Sequence, residues 1–412
     1  MVYSIQKPPV VQASVRLPAS KSISNRALIL NVLSSNPCPV DNLSDSDDTQ
    51  VLLKALQSSV PDLNIGAAGT SMRFLTAYLS QLDGEWRITG TERMKNRPIR
   101  VLVDALRELG GDIVYPEKEG FPPLLIRGKK LKGGDISLQG NVSSQYISAL
   151  MMIAPRMENG LSLHLEGGII SRPYIEMTVR LMEAFGIRVV WEGQTIRIRP
   201  QVGLARPFKV ESDWSAASYW YEIIALAGEN SSVELSGLEK DSIQGDSKGK
   251  MLFEKIGVQT VHTENGVILS KSSVPYPENT ALLYDFVNEP DLAQTFVVTC
   301  CLRDIPFRFS GLQSLRIKET DRIAALQTEM QKLGYVIREK GNSVLEWTGE
   351  RLPPAIHPVI STYEDHRMAM AFAPACLKTG SVKISEPGVV SKSYPRFWDD
   401  LKQAGFTVME SK

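Results

Sequence analysis

Cysteine is scarce in this chain. Four occur among 412 residues, Cys38, Cys300, Cys301 and Cys376, none paired at C-x-x-C spacing, and two of them lie in the apolar run FVVTCCL. That excludes a disulfide framework and a thiolate metal site and predicts buried, reduced thiols. Long apolar runs are also lacking. Nowhere do about 18 apolar residues follow one another, so no membrane-spanning helix is expected. The opening MVYSIQKPPVVQASVRLP has no basic start leading into an unbroken apolar stretch, so neither a signal peptide nor an anchor is expected. Charge of one sign is missing as well: 46 Lys and Arg balance 46 Asp and Glu. No global field draws the molecule to nucleic acid or to a membrane surface. With no metal-ligand spacing and no nucleotide-binding glycine fingerprint, no metal and no cofactor are expected. The default is a cytoplasmic enzyme, a monomer, acting on small molecules.

What is present is repetition. A chain of 412 residues exceeds what one hydrophobic core usually serves, which sets two domains as the prior. One unit reads helix, glycine, strand, turn, strand: RPIRVLVDALRELGG followed by DIVYPE and LLIRG, then RPYIEMTVRLMEAFG followed by IRVVWE and TIRIRP. It returns in SKGKMLFEKIG with VQTVH and VILS, in LRIKETDRIAALQTEM with YVIRE and VLEW, and truncated in YPRFWDDLKQAGFTVME. The glycine after each helix suits a left-handed C-terminal cap. A second helix precedes each unit, starting near Ser22, Thr70, Ser143, Asp213, Asp291 and Asp365, in steps of 48, 73, 70, 78 and 74 residues. Between the paired helices lies a strand: WRITG, LHLEG, VELSG, FRFSG or VKIS.

Six α/β copies of strand, helix, strand, helix, hairpin therefore fill the chain. The first step is about 25 residues short, because DTQVLLKALQ runs almost straight into the next copy, and its hairpin is expected to be lost. The last copy lacks a strand after FTVME, which VVQASVRL is expected to supply. Three copies per half then give an N-terminal domain over 19–211 and a second domain from 1–18 plus 212–412.

The helix starts carry unexpected cations. Lys21, Ser22 and Arg26 open one, Gly69, Thr70 and Arg73 another; Ser143, Ser144 and Gln145 a third; Asp291 leads a fourth, His366 and Arg367 a fifth. Lys318 and Arg322 flank Glu319 in the same way. Positive charge opposes the helix dipole there unless an anion is bound. Singly, each residue has an ordinary explanation. Ser22, Thr70 and Ser143 could be N-caps worth about 1 kcal/mol each, Arg73 and Arg97 solvated surface arginines, and His366 a side chain bonding its own loop. Their recurrence at equivalent places favours a polyanionic ligand. Within LRIKETDRIAALQTEM, Ile323, Leu326, Met330 and Leu333 make the buried stripe and Gly334 the stop.

These stretches, LPASKSISNRALIL, GAAGTSMRFLTA, RMKNRPI, VSSQYISALM, SRPYIEMT, RIKETDR and STYEDHRMAMAF, resemble in order the motifs of the 5-enolpyruvylshikimate-3-phosphate synthase family. The resemblance implies two similar domains, each a pseudo-three-fold repeat of βαβαββ units forming an inside-out α/β barrel, with the active site in the cleft between them. It also implies transfer of the enolpyruvyl group of phosphoenolpyruvate to the 5-hydroxyl of shikimate 3-phosphate through a tetrahedral intermediate. By the same resemblance Asp291 is the base near that hydroxyl, Glu319 exchanges the proton with the methylene carbon, and Lys21 serves binding and proton transfer. Shikimate 3-phosphate falls to Lys21, Ser22, Arg26, Ser143, Ser144, Gln145, Ser171, Asp291, Ser314 and Lys318, with Tyr174 stacking alongside. Phosphoenolpyruvate falls to Lys21, Gly69, Arg97, Gln145, Arg322, His366, Arg367 and Lys392.

Three positions depart from the family pattern. Ala67 and Ser314 stand where Asn is usual, and Phe74 where Pro is usual. Two other enzymes and one binding module are the competing expectations. The sister transferase acting on UDP-N-acetylglucosamine uses a loop cysteine and a different first motif, whereas here the first domain holds only Cys38, in NPCPV. An RNA 3′-phosphate cyclase would need a His nucleophile and a basic nucleic-acid face. A non-catalytic sugar-phosphate binding module would explain the anion loops but gives Asp291 and Glu319 no reason to accompany them.

Overall fold

The computed structural model describes residues 1–272, 276–277 and 280–411. The chain forms two compact units, one of Ala19–Val210 and one of Met1–Pro18 with Glu211–Lys412.

Three helices meet at the centre of each unit. In the first these are Lys21–Leu33, Gly69–Leu79 and Ser144–Ile153; in the second, Trp214–Leu226, Ala293–Leu302 and His366–Phe372. They read as apolar or small on every side, as WSAASYWYEIIAL and AQTFVVTCCL show, and such a helix has to be surrounded by protein. All ten residues of Ala293–Leu302 are buried, and in Trp214–Leu226 only Ser215 escapes. The outer helices are one-sided instead. In Arg322–Lys332, Ile323, Leu326 and Met330 are fully buried and Asp321 caps the start by accepting from Ala324 N at 3.1 Å. Gly334 stops the chain's helical course at φ +91°, where a Cβ would also meet Leu352 O at 2.6 Å.

Among the described residues six open sheets flank these helices, five of four strands and one of two. In four of them the strand before an inner helix lies parallel to the strand after it, for instance Asp62–Asn64 beside Gly84–Thr89 and Gly134–Gln139 beside Leu161–Glu166. In the other two the partners are exchanged, Gln12–Arg16 lying parallel to Ser232–Ser236 and Phe208–Lys209 parallel to Val40–Asp41. The expected hairpins then add antiparallel strands, such as Val258–Thr263 with Gly266–Lys271. The first copy is the exception: among the described residues Val40–Asp41 pairs only with Phe208–Lys209, and no hairpin follows. None of these sheets closes on itself, so within each unit the three-fold plan rests on the packed helices rather than on a continuous barrel of strands.

The strand expected to complete the last sheet is a different one. Val2–Gln6, not the VVQASVRL segment, pairs antiparallel with both Thr407–Ser411 and Ser381–Ser385. Gln12–Arg16 from the expected segment lies parallel to Ser232–Ser236 in the fourth copy. Both stretches alternate, and both bury one residue, Ile5 and Val15. Lys7–Pro8–Pro9 between them break the ladder, since proline has no N–H to give, and divide the segment between two sheets.

Candidate active site

Within Ala19–Val210 the polar helix starts gather around two buried guanidinium groups. Arg26, 2% exposed, donates from Nε to Thr178 Oγ1 at 2.7 Å and from Nη2 to Ser148 Oγ at 3.1 Å. It also reaches the carbonyls of Ser22 and Tyr174. All these acceptors are neutral, so burial goes unopposed by a carboxylate and pulls the Arg26 pKa down to about 10. Arg73, 4% exposed, is held by the carbonyls of Gly69 and Pro98. Burial first, and Arg97 after it, lower its pKa to about 10. Arg73 is thus no solvated surface arginine. Arg97 is half-buried, and its Nε has no hydrogen-bond partner among the described residues.

Gly69 lets these cations come together. A Cβ at position 69 would lie 2.4 Å from Arg97 Nη1. Two of the three hydroxyls considered as caps do something else. Ser20, not Ser22, accepts from Ile23 N; Thr70 is past its helix start and accepts from Gln145 Nε2 at 3.3 Å. Ser143 is an N-cap, accepting from Gln145 N, with Ser144 the first helical residue after it. Ser171 precedes the helix Arg172–Ala184 in a left-handed conformation, φ +52°, and makes no cap hydrogen bond. Lys21 Nζ stands 3.9 Å from Asp48 Oδ2, and Asp48 in turn accepts from Ser71 Oγ at 2.7 Å. Lys21, Arg26, Arg73 and Arg97 against the one carboxylate of Asp48 leave this group of side chains strongly positive.

The other unit is built differently, around carboxylates. Arg322, 1% exposed, donates from Nε to Asp365 Oδ2 at 2.7 Å, from Nη1 to Asp291 Oδ1 at 3.2 Å and from Nη2 to Glu319 Oε2 at 2.8 Å. Burial alone would lower its pKa, but Asp365, Glu319 and Asp291 more than reverse this, and the guanidinium is held charged. Asp291 also receives Arg367 Nη2 at 2.8 Å on its second oxygen, and Lys318 Nζ approaches to 3.5 Å. Lys318 ends the short turn Gln313–Ile317, and Asp321 opens the helix. Lys318 and Glu319 therefore lie in a loop between the two, which relieves Lys318 of any clash with the helix dipole. Ser314 lies within that turn. His366 is buried, with Nδ1 3.9 Å from Asp365 Oδ1, and Lys392 Nζ donates to Glu364 O at 2.6 Å.

Three carboxylates here were not singled out from the sequence. Asp48 and Asp365 stand at helix starts, where an acid reads as ordinary dipole compensation. Asp365 is indeed an N-cap, accepting from Arg367 N at 2.9 Å, while it also fixes Arg322. Asp246, 5% exposed, bonds the Ser215 hydroxyl. Burial, and then the neighbouring charge of Asp291, push its carboxyl up to about 7 against the pull of Arg367. Nothing in QGDSKGK marked it.

Positive charge thus gathers in one unit, and carboxylates paired with buried guanidinium groups in the other. Comparison with solved structures shows the same fold in EPSP synthase from Acinetobacter baumannii, with TM-score 0.77, 21% identity and coverage of 99% of this chain and 100% of that one. The enolpyruvyl transferase NikO from Streptomyces tendae gives TM-score 0.75 at 14% identity, covering 100% and 98%. The chain has the fold of the enolpyruvyl transferases. The family description EPSP synthase (3-phosphoshikimate 1-carboxyvinyltransferase) matches residues 5–60 and 57–401. A 3-phosphoshikimate 1-carboxyvinyltransferase from Bacteroides fragilis is 57% identical over 409 residues, 99% of each chain. One from Vibrio cholerae is 36% identical over 429 aligned positions, 97% of this chain and 98% of its own. The chain belongs to the EPSP synthase family.

Proposed function

We propose that the protein transfers the enolpyruvyl group of phosphoenolpyruvate to the 5-hydroxyl of shikimate 3-phosphate, releasing phosphate, in the route to chorismate and the aromatic amino acids. The observation that carries this reading is the group of Asp291, Glu319, Lys318 and Arg322, in which Arg322 pairs with both carboxylates and Lys318 with Asp291. A binding module needs the cations alone. The carboxylates are what addition and elimination require.

In this reading both units serve one pair of substrates. Asp291 takes the proton of the attacking 5-hydroxyl as its oxygen bonds to the enolpyruvyl carbon, and Glu319 gives a proton to the methylene. The tetrahedral intermediate collapses when the methyl group returns a proton to Glu319 and the C–O bond to phosphate breaks. Lys21 binds and assists proton transfer. Arg26, Ser22, Ser143, Ser144, Ser171, Tyr174, Ser314 and Lys318 hold shikimate 3-phosphate. Gly69, Arg97, Arg322, His366, Arg367 and Lys392 hold phosphoenolpyruvate, and Gln145 faces both. Planar guanidinium forks suit the carboxylate and phosphate of this donor. Released phosphate, measured with both substrates and with either omitted, tests the proposal. Release with UDP-N-acetylglucosamine in place of shikimate 3-phosphate would assign the sister activity, and no release across pH would remove the enzymatic reading.

No helix among the described residues is long and apolar enough to cross a membrane. We place the enzyme in the cytoplasm as a monomer that needs only its two substrates.

A further inference from the structure

The loop from Ser361 to Asp365 delivers three side chains: Asp365, which fixes Arg322, and then His366 and Arg367. It does so through two consecutive left-handed non-glycine residues, Tyr363 at φ +53° and Glu364 at φ +55°. Side chains with a Cβ adopt this conformation at a cost, and it persists only where surrounding contacts over-determine it.

Those contacts come mainly from one residue. Glu329, 0% exposed, accepts the Tyr363 hydroxyl on Oε1 at 2.6 Å, and on Oε2 the Ser361 amide at 3.0 Å and Lys332 Nζ at 2.7 Å. One carboxylate therefore grips both the start of the turn and its first left-handed residue. Burial, and then the hydrogen bond to Glu329, push the Tyr363 hydroxyl up to about 12. From the other side Lys392 Nζ donates to Glu364 O. Seven residues separate Arg322 from Glu329 on one helix, close to two full turns, so both project from the same face. Arg322 holds Asp365 at the far end of the loop while Glu329 holds the near end.

We propose that Glu329, acting through the Tyr363 hydroxyl and the Ser361 amide, is a positioning residue for the phosphoenolpyruvate side of the reaction. It sets the aim of Arg367 and the seat of Lys392 without touching substrate. The inference rests on the proposed function above, because only that reading gives Arg367 and Lys392 a donor to hold.

The test uses full-length Tyr363→Phe and Glu329→Gln beside wild type, with Lys332→Met as a control that removes another partner of Glu329 but not its grip on the loop. Losing one hydrogen bond to a charged group is expected to raise KM for phosphoenolpyruvate about tenfold. KM for shikimate 3-phosphate should stay within about twofold, and Lys332→Met should leave both values near wild type. In the ligand-free protein, amide exchange over residues 361–367 should quicken while exchange in Ala293–Leu302 stays as it was. Tyr363→Phe keeps the ring and its packing, so it stands even if Glu329→Gln fails to fold. Unchanged phosphoenolpyruvate KM in Tyr363→Phe would overturn the proposal. So would a parallel rise in both KM values with exchange quickened throughout, the mark of lost stability alone. If wild type itself releases no phosphate, the proposed function fails, and the exchange measurement still decides whether Glu329 holds the loop.

Discussion

A methyl group at position 69 is enough to disturb the cationic cluster. It would arrive 2.4 Å from Arg97 Nη1, at the end of a flexible side chain, so Arg97 rather than the backbone gives way. Gly69→Ala is expected to fold normally and to raise KM for phosphoenolpyruvate about tenfold or more, with a smaller effect on shikimate 3-phosphate, in steady-state assays with each substrate varied. Glu319 offers the complementary case. Gln keeps its size and can still accept from Arg322 Nη2, but it cannot exchange a proton. Glu319→Gln should bind both substrates within a few fold of wild type by calorimetry while turnover falls by about a hundredfold or more; normal turnover would make Glu319 a supporting carboxylate. A third residue works against the fold. Glu222 is fully buried in the helix Trp214–Leu226, and burial drives its pKa well above the ordinary carboxylate value. A raised acid pKa means that the folded state binds the proton more tightly than the unfolded chain. Stability from this group is complete below about pH 4.5 and is lost as pH rises toward the folded value, at ~1.4 kcal/mol per unit. Glu222→Gln should therefore gain on wild type in thermal midpoint as pH is raised from about 5 to 8, and equal midpoints over that range would argue against a neutral buried acid.

The helix Arg322–Lys332 shows how architecture and site share one element. Its buried stripe was legible in the sequence, because period and glycine stop are local properties. Leu326→Ala removes a fully buried side chain from that stripe and should cost about 2–5 kcal/mol in denaturant unfolding, with KM values little changed in whatever fraction remains folded. The charges at its start were legible only in part. Lys318 and Arg322 stood out because they oppose a helix dipole, yet Arg322 finds Asp291, Glu319 and Asp365 waiting for it. Asp365 and Asp48 hid for the opposite reason: an acid at a helix start needs no other explanation. Asp246 hid because its partners, Ser215 and Asp291, come from other copies or other helices, and such long-range neighbours leave no spacing in the chain.

At the scale of the molecule, six-fold repetition was readable because every copy must bury an all-round apolar helix, and all but the first stop the next helix with glycine. Which terminal strand completes which sheet was not, since Val2–Gln6 and Gln12–Arg16 carry similar alternation and only their neighbours in space tell them apart. Val2–Gln6 is a central strand, bonded on both edges. Deleting residues 1–7 should therefore cost on the order of 5 kcal/mol through lost ladder bonds and the exposed partners of Ile5. A synthetic peptide carrying MVYSIQ added in trans should restore part of the thermal midpoint. The same arrangement orders events during synthesis. Val2–Gln6 must remain unpaired until residues 381–411 have emerged, about 20–80 s after it at ordinary elongation rates. Ala19–Val210 has its whole sequence in hand before residues 211–411 are made, so the unit that gathers positive charge can form while its companion still waits for the partners of Val2–Gln6.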